Sequence, residues 1–288
     1  MSPRVICVVV TRDRRELLSR CLEAIGAQTR PVDRLVVVDN ASSDGTPEMV
    51  RREFPEAELL TLQRNVGSAG GFRAGMEAAL ARESEWLWLL DDDTIARPDA
   101  LERLLAAPWG KAGLPEPALL TSRVDWTDGE PHPMNRPILR RRDPEALVDA
   151  AAAGLLPVRT ATFVSLLVCA AAVRRHGLPS AHFFFQADDI EFTARLLRHE
   201  HGYFVPDSVV EHRTKTAHNA LGDPLRFYHH LRNTLYMLRG RAWSPSEKPA
   251  LGWLVVDTAA RFVRDNGTEG AVTVARAVRD GLRAPPAA

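Results

Sequence analysis

Lysine is almost missing from this chain: of 37 basic residues only Lys111, Lys215 and Lys248 are not arginine. Arginine suits bidentate recognition of phosphate, although a GC-rich genome explains the bias more simply. Acidic residues also number 37, so the formal net charge is +0 and no global basic field points to nucleic acid. Cysteine is scarce as well. Cys7, Cys21 and Cys169 are scattered, odd in number and without metal-site spacing, which predicts reduced, buried thiols rather than a disulfide framework. Long apolar runs are absent. Val5–Val10 is too short for a signal-peptide core and runs straight into Arg12, Asp13, Arg14 and Arg15. Nothing reaches the length needed to span a bilayer, so the expectation is a soluble, cytoplasmic protein. There are no internal repeats, and 288 residues allow one large domain or two small ones.

What is present is an alternation of strand and helix. Val5–Val10, Leu35–Val38, Glu58–Leu62 and Trp86–Leu90 predict four strands, the first two continuous enough to be covered on both faces. Between them fall a helix opened by an Asp13/Glu16 capping box and carrying a Leu17, Leu18, Cys21, Leu22, Ile25 stripe, a short helix with Thr46 as N-cap and Pro47 at N1, and a glycine-opened helix over Ser68–Arg82. Such alternation predicts an α/β fold: a Rossmann-like, mostly parallel sheet with helices on both faces. Ligands of such sheets sit beyond the carboxyl ends of the strands. Thr11-Arg12, Asp39-Asn40, Asn65 and Asp91-Asp92-Asp93 all fall there.

Trp109–Pro144 is rich in Pro, Gly and Arg and predicts loops with at most short strands. Thr160–Cys169 predicts one strand feeding a helix over Ala170–His176, and Asp188 opens a helix to about Glu200. Tyr203–Val205 and Val209–His212 predict a short strand pair or turn. Asp223-Pro224 caps a helix to Arg239, and Ser246–Leu282 holds two amphipathic helices with Trp253, Leu254, Phe262 and Val263 on their apolar faces. The domain expectation is a nucleotide-binding and catalytic unit over 1–222 and a C-terminal helical region over 223–288, with a disordered tail at Ala284–Ala288.

Two acidic clusters stand out. Burying Asp91-Asp92-Asp93 behind the apolar run Trp86–Leu90 calls for a cation, and oxygen ligands suit Mg²⁺ or Mn²⁺. A solvated turn capping the helix after Pro98 accounts for an isolated triplet equally well. Asp188-Asp189-Ile190-Glu191 at a helix start is either simple capping of the dipole or the home of a general base. A neutral imidazole at His212 could complete a metal shell; a lone histidine is more often a core or surface residue.

The segments "VVVTRDRRELLSRCLEAIGAQT", "VVVDNASSDGT", "NVGSAGGFRAGM", "WLWLLDDDT", "FFFQADDIEF" with Arg195, "VVEH" and "FYHHLRNTLYMLR" occur in one order across Val5–Arg239. In this order the chain resembles the family 2 inverting glycosyltransferases of GT-A fold. The resemblance implies that Asp91 and Asp93 hold Mn²⁺ or Mg²⁺ with His212, and that Asp189 is the catalytic base. It places Thr11, Arg12, Asp39, Asn65, Asp92, Asp188 and Glu191 among residues for nucleotide and substrate, with Asp92 beside the donor sugar or ribose. It also implies a nucleotide diphosphate sugar donor, a glycan, lipid-linked or small-molecule acceptor, and a membrane-surface contact or homo-oligomer through the C-terminal helices. Arg232-Asn233 match a late pair with no derived role. "DDDT" with "ADDIEF" looks more like the galactofuranosyltransferase branch than the rhamnosyltransferases, favouring UDP-galactofuranose over dTDP-rhamnose.

Readings from other classes fit less well. Gly67, Gly70, Gly71 and Gly75 follow the third strand, not the first, and form no GxGxxG, against a dinucleotide oxidoreductase. Thr11–Arg15 lacks the glycines of a nucleotidyltransferase loop. A non-catalytic nucleotide-sugar-binding protein would have lost a key carboxylate, and none is missing.

Overall fold

The first apolar run becomes β1 (Val5–Thr11), buried at every residue. In the computed structural model, which describes residues 2–140, 143–217 and 221–283, it lies inside a ten-stranded mixed sheet. The chain continues through α1 (Arg15–Gly26), β2 (Arg34–Asp39), α2 (Thr46–Glu53), β3 (Glu58–Thr61), α3 (Gly67–Leu80) and β4 (Trp86–Asp91). Then come β5 (Thr94–Ala96), α4 (Ala100–Leu105), β6 (Pro117–Asp125), β7 (Ile138–Leu139), α5 (Pro144–Ala152), β8 (Leu156–Thr160) and β9 (Leu166–Cys169). The last elements are α6 (Ala170–His176), α7 (Asp188–Leu196), β10 (His201–His212), α8 (Pro224–Arg239) and α9 (Lys248–Arg283). Strand order is β3-β2-β1-β4-β9-β6-β10-β8-β7, with β5 paired to β10.

Alternation along β1 divides the core between the two faces, as a strand period of two requires. Val5, Cys7 and Val9 pack with Leu18, Leu22 and Ile25 of α1, whereas Ile6, Val8 and Val10 pack with Phe72 and Met76 of α3 and Phe192 of α7. Among the described residues the three cysteines are unpaired, and burial pushes the Cys7 and Cys21 thiols well up. No helix among the described residues is long and apolar enough to cross a membrane. The expected disorder at 284–288 falls outside the described residues.

Several local expectations are corrected. The 109–144 stretch contains β6, a nine-residue strand buried in the middle of the sheet. Its polar residues hid it: the Ser122 hydroxyl pairs with those of Ser165 (2.6 Å) and Ser208 (2.7 Å). Thr160–Cys169 is two strands, because Ser165 adopts φ 54 and the segment before it leaves the sheet path. The two pieces at 203–212 are one strand, β10, whose parallel pairing with β6 shifts register between Val205 and Val209, across Pro206. Asp13 does not cap α1; its carboxylate accepts from the Ser43 backbone N–H at 2.7 Å. Gly45, not Thr46, is the N-cap of α2, and Thr46 donates its hydroxyl to Asp44 instead. α7 ends at Leu196. α9 is broken at Gly267, so two helical pieces do occur, and Phe262 stacks on Phe227 of α8 with ring centroids 3.8 Å apart. Trp253, however, is 71% exposed, so it is not part of that packing.

Candidate active site

The parallel register sets Thr11 beside Asp39 and Asp91 beside Val10, so the ends of β1, β2 and β4 share one edge of the sheet. Asp92 and Asp93 make the tight turn into β5. That strand runs antiparallel to β10 with Thr94 opposite His212, and the Arg213 N–H donates to the Asp93 carbonyl at 2.8 Å. A short ladder therefore carries the histidine back to the aspartates. His212 Nε2 lies 3.0 Å from Asp93 Oδ1 and 4.0 Å from Asp91 Oδ2.

The histidine is held in one tautomer. Asn135, in a turn of 3₁₀ helix at Pro133–Asn135, donates Nδ2 to Thr162 Oγ1 at 3.0 Å, which fixes its Oδ1 toward His212 Nδ1 at 2.8 Å. With Nδ1–H on that oxygen, Nε2 is the ring nitrogen that faces the two carboxylates. Asp93 Oδ1 is buried without a well-formed hydrogen bond. One ligand atom from each of Asp91, Asp93 and His212 falls within 4.8 Å of the others. A divalent cation would satisfy all three at once. The charges express the same demand: burial, with Asp93 adding to it, pushes the Asp91 carboxyl up to about 7. Burial favours the neutral His212 ring, but the neighbouring Asp93 and Asp91 outweigh it and hold its pKa above the usual range.

Asp92 turns inward. Thr11 Oγ1 donates to its Oδ2 at 2.8 Å and Arg14 Nη1 to its Oδ1 at 3.0 Å. Its carboxylate ties the β1–α1 turn to β4. The same Arg14 nitrogen reaches Asp93 Oδ2 at 2.6 Å, offsetting part of the cluster's charge. Asp39 is fully buried and accepts from the Ser42 N–H, and Arg12 is exposed beside Asp13. Asn65 Oδ1 accepts from Gly67 N–H at 2.9 Å, and Asn40 braces the same loop through Val66 and Gly67. Beside Asp93 opens a cavity of about 450 Å³ with Arg14, Arg15, Arg213 and Lys215 on its wall.

The second acidic cluster splits into three roles. Asp188 accepts from Ser68 Oγ of α3 at 2.8 Å, and burial raises it to about 6. Glu191 accepts a forked pair from Arg195 at 2.8 and 3.2 Å, and that arginine also donates to the Leu178 carbonyl. It fastens α7 to the segment after α6. Asp189 accepts only from the adjacent Ile190 N–H among the described residues. Its carboxyl is pushed well above the usual range by burial, by Asp188 and, further off, by Asp91.

Asn135 and Arg14 are the residues that sequence reading missed. Arg14 sits two residues past Thr11-Arg12 and was legible only as charge; Asn135 carries no local signal.

The family model described as "Glycosyl transferase family 2" matches residues 6–149. The galactofuranosyltransferase GlfT1 of Mycobacterium tuberculosis is 34% identical over 200 residues, 69% of this chain and 66% of that protein. GlfT1 of Mycolicibacterium smegmatis is 34% identical over 198 residues, 67% and 66% of the two chains. The chain thus spans about two thirds of these relatives' length, no more. Among solved structures, S. aureus TarS 1–349 in complex with UDP-GlcNAc superposes with TM-score 0.65 at 16% identity, covering 98% of this chain and 82% of that one. That likeness is one of fold, the GT-A arrangement.

Proposed function

The chain belongs to glycosyl transferase family 2, and from that premise we propose that it moves a sugar from a nucleoside diphosphate donor to a hydroxyl of a glycan-type acceptor, with inversion at the anomeric carbon. The observation that carries the reading is the convergence of two differently prepared acid clusters at one end of the sheet. Asp91, Asp93 and His212 offer a ligand set for a divalent cation, and Asp189 keeps a carboxylate with a raised pKa and no side-chain donor.

Asp189 accepts the proton of the acceptor hydroxyl as its oxygen attacks the anomeric carbon. The bond from that carbon to the diphosphate oxygen breaks, and the nucleoside diphosphate leaves. A bound Mn²⁺ or Mg²⁺ would supply charge stabilisation for the departing diphosphate. The neighbouring cavity wall carries Arg14, Arg15, Arg213 and Lys215 beside the carboxylates Asp13, Glu16, Asp44 and Asp93, so it offers donors for phosphate oxygens without a net positive charge. Asp188, occupied by Ser68, holds the start of α7 and leaves the proton transfer to its neighbour.

For the donor, the 34% identity to proteins named galactofuranosyltransferase supports UDP-galactofuranose ahead of dTDP-rhamnose. Incubation with both, and with UDP-glucose and UDP-GlcNAc, with Mn²⁺ and again with EDTA, tests the reading. Nucleoside diphosphate release from one donor, lost with chelator and restored by added metal, is the expected outcome. Turnover indifferent to EDTA would remove the metal from the scheme, and no turnover or stabilisation by any donor would remove the function.

A further inference from the structure

Residues Phe183–Ala187, which deliver the acidic pair into α7, follow an unfavourable path. Phe184 (φ 62, ψ −66), Gln186 (φ 72) and Ala187 (φ 62) all lie at positive φ without being glycine. The Phe185 N–H reaches back to the Phe183 carbonyl at 2.7 Å, closing a three-residue turn of the strained kind. Conformations of this sort persist only where the surroundings over-determine them.

Here the surroundings are two residues of α8. Asn233, fully buried, aims Nδ2 at three carbonyls: Phe183 at 3.0 Å, Phe185 at 2.9 Å and Gln186 at 2.6 Å. The amide cannot be flipped, because its Oδ1 accepts from Arg232 Nε (3.0 Å) and Nη2 (2.9 Å). Arg232 Nη2 itself donates to the Phe183 carbonyl at 2.8 Å and the His182 carbonyl at 3.1 Å. On the other side the Ala69 N–H of α3 takes the remaining carbonyl, Phe184, at 3.1 Å. Four successive carbonyls are thus fixed from two helices, immediately before the free carboxylate.

We propose that Arg232 and Asn233 are positioning residues for the reaction: they hold the strained Phe183–Ala187 segment so that Asp188 stays on Ser68 and Asp189 faces the acceptor. This rests on the reading of Asp189 as base. A residue that only stabilised the fold would change everything together; a positioning pair should separate chemistry from donor binding.

The test uses the full chain with Asn233→Ala and, separately, Arg232→Lys, which keeps charge but loses the fork that fixes the amide. Steady-state transfer, UDP binding with Mn²⁺ by calorimetry, and hydrogen exchange by peptide are compared with the unaltered protein. For Asn233→Ala, kcat should fall at least about tenfold while donor KM and UDP affinity stay within about threefold. Exchange should quicken over 181–190 and at Ala69, with β1 unchanged. Arg232→Lys should give the same pattern at smaller size, and decides the matter if Asn233→Ala does not fold. Unchanged kcat, unchanged exchange over 181–190, or a loss of UDP affinity and sheet protection in step with kcat would overturn the proposal. If the unaltered protein transfers no sugar, the assignment of the base fails, and the exchange pattern alone still shows whether the pair holds the segment.

Discussion

Asn135 accepts the Nδ1 hydrogen of His212 at 2.8 Å, across 77 residues of sequence. The bond decides which imidazole nitrogen is free, and the free one faces Asp91 and Asp93. Asn135→Leu removes the acceptor and lets the ring rotate or change tautomer. We expect Mn²⁺ affinity to fall about 10- to 100-fold, as with other partners of metal-ligating histidines, with nucleotide binding in the absence of metal unchanged. Calorimetric titration with Mn²⁺ alone measures this. Unaltered affinity would mean that the tautomer is set by something else.

Asp189 and Asp188 should separate cleanly under substitution. Asp189→Asn keeps shape and loses the proton acceptor, so transfer should drop by about 10²- to 10⁴-fold while UDP affinity holds. The pH profile carries the sign. Burial and Asp188 raise the Asp189 pKa, so falling pH removes this base sooner than it would an ordinary aspartate. Activity should therefore rise with pH along a limb lying above the ordinary aspartate range of about 3.9. A kcat/KM flat down to pH 4 would contradict the assignment.

Much of this arrangement was legible in the sequence, for physical reasons that differ by element. β1, β2 and β4 announce themselves because strands buried on both faces must be apolar throughout, and their carboxyl ends then mark where polar residues gather. Asp91, Asp93 and His212 were named together because their chemistry suits one ion, and the β5–β10 ladder brings them to it. β6 was hidden because Thr121, Ser122 and Arg123 look exposed in sequence; the first two are buried, and the Ser122 hydroxyl is satisfied there by Ser165 and Ser208, which arrive from elsewhere. The Glu191 ion pair is of the kind helical spacing allows: Arg195 at i+4 takes its carboxylate. The role of Asn135 depends wholly on tertiary structure and leaves no pattern to find.

Arg159 is a strongly buried cation whose carboxylate partner is distant in sequence. Its guanidinium meets Glu247 at 2.8 and 3.2 Å, the carbonyls of Ala194 and Ala242 at 2.6 Å each, and the face of Trp243. It joins β8, α7 and the approach to α9. Arg159 and the Ser244 hydroxyl and N–H lower the Glu247 pKa to about 2 despite partial burial. A carboxyl lowered in the folded state stabilises above its unfolded pKa and loses that contribution as pH falls from about 4.5 through about 2. Glu247→Gln should cost about 1–3 kcal/mol at neutral pH and flatten the acid dependence, because it leaves Arg159 buried without its counter-charge. Urea unfolding at pH 7 and pH 3.5 checks both; equal stability of the two proteins at pH 7 would show the pair contributes little.

Gly67 links the Asn65 turn to the segment that precedes Asp189. It opens α3 at φ +74, directly after the Asn65 turn, and a Cβ placed there would stand 1.9 Å from the Phe184 carbonyl oxygen. The obstacle is backbone, and that carbonyl is itself held by the Ala69 N–H, so neither side can give way cheaply. Gly67→Ala therefore faces two penalties at once, a left-handed conformation and a hard contact, together about 2–4 kcal/mol. Relief requires the Phe183–Ala187 segment to move, carrying Asp188 away from Ser68. We expect a lowered melting temperature and a loss of transfer larger than the loss of stability alone explains, since activity measured well below the melting temperature should still fall at least tenfold by displacement of a general base. Gly110→Ala, where the added Cβ meets nothing within 4 Å, is the control and should change neither. A Gly67→Ala protein with normal turnover would show that the approach of α3 to Phe184 shapes the fold without reaching the chemistry.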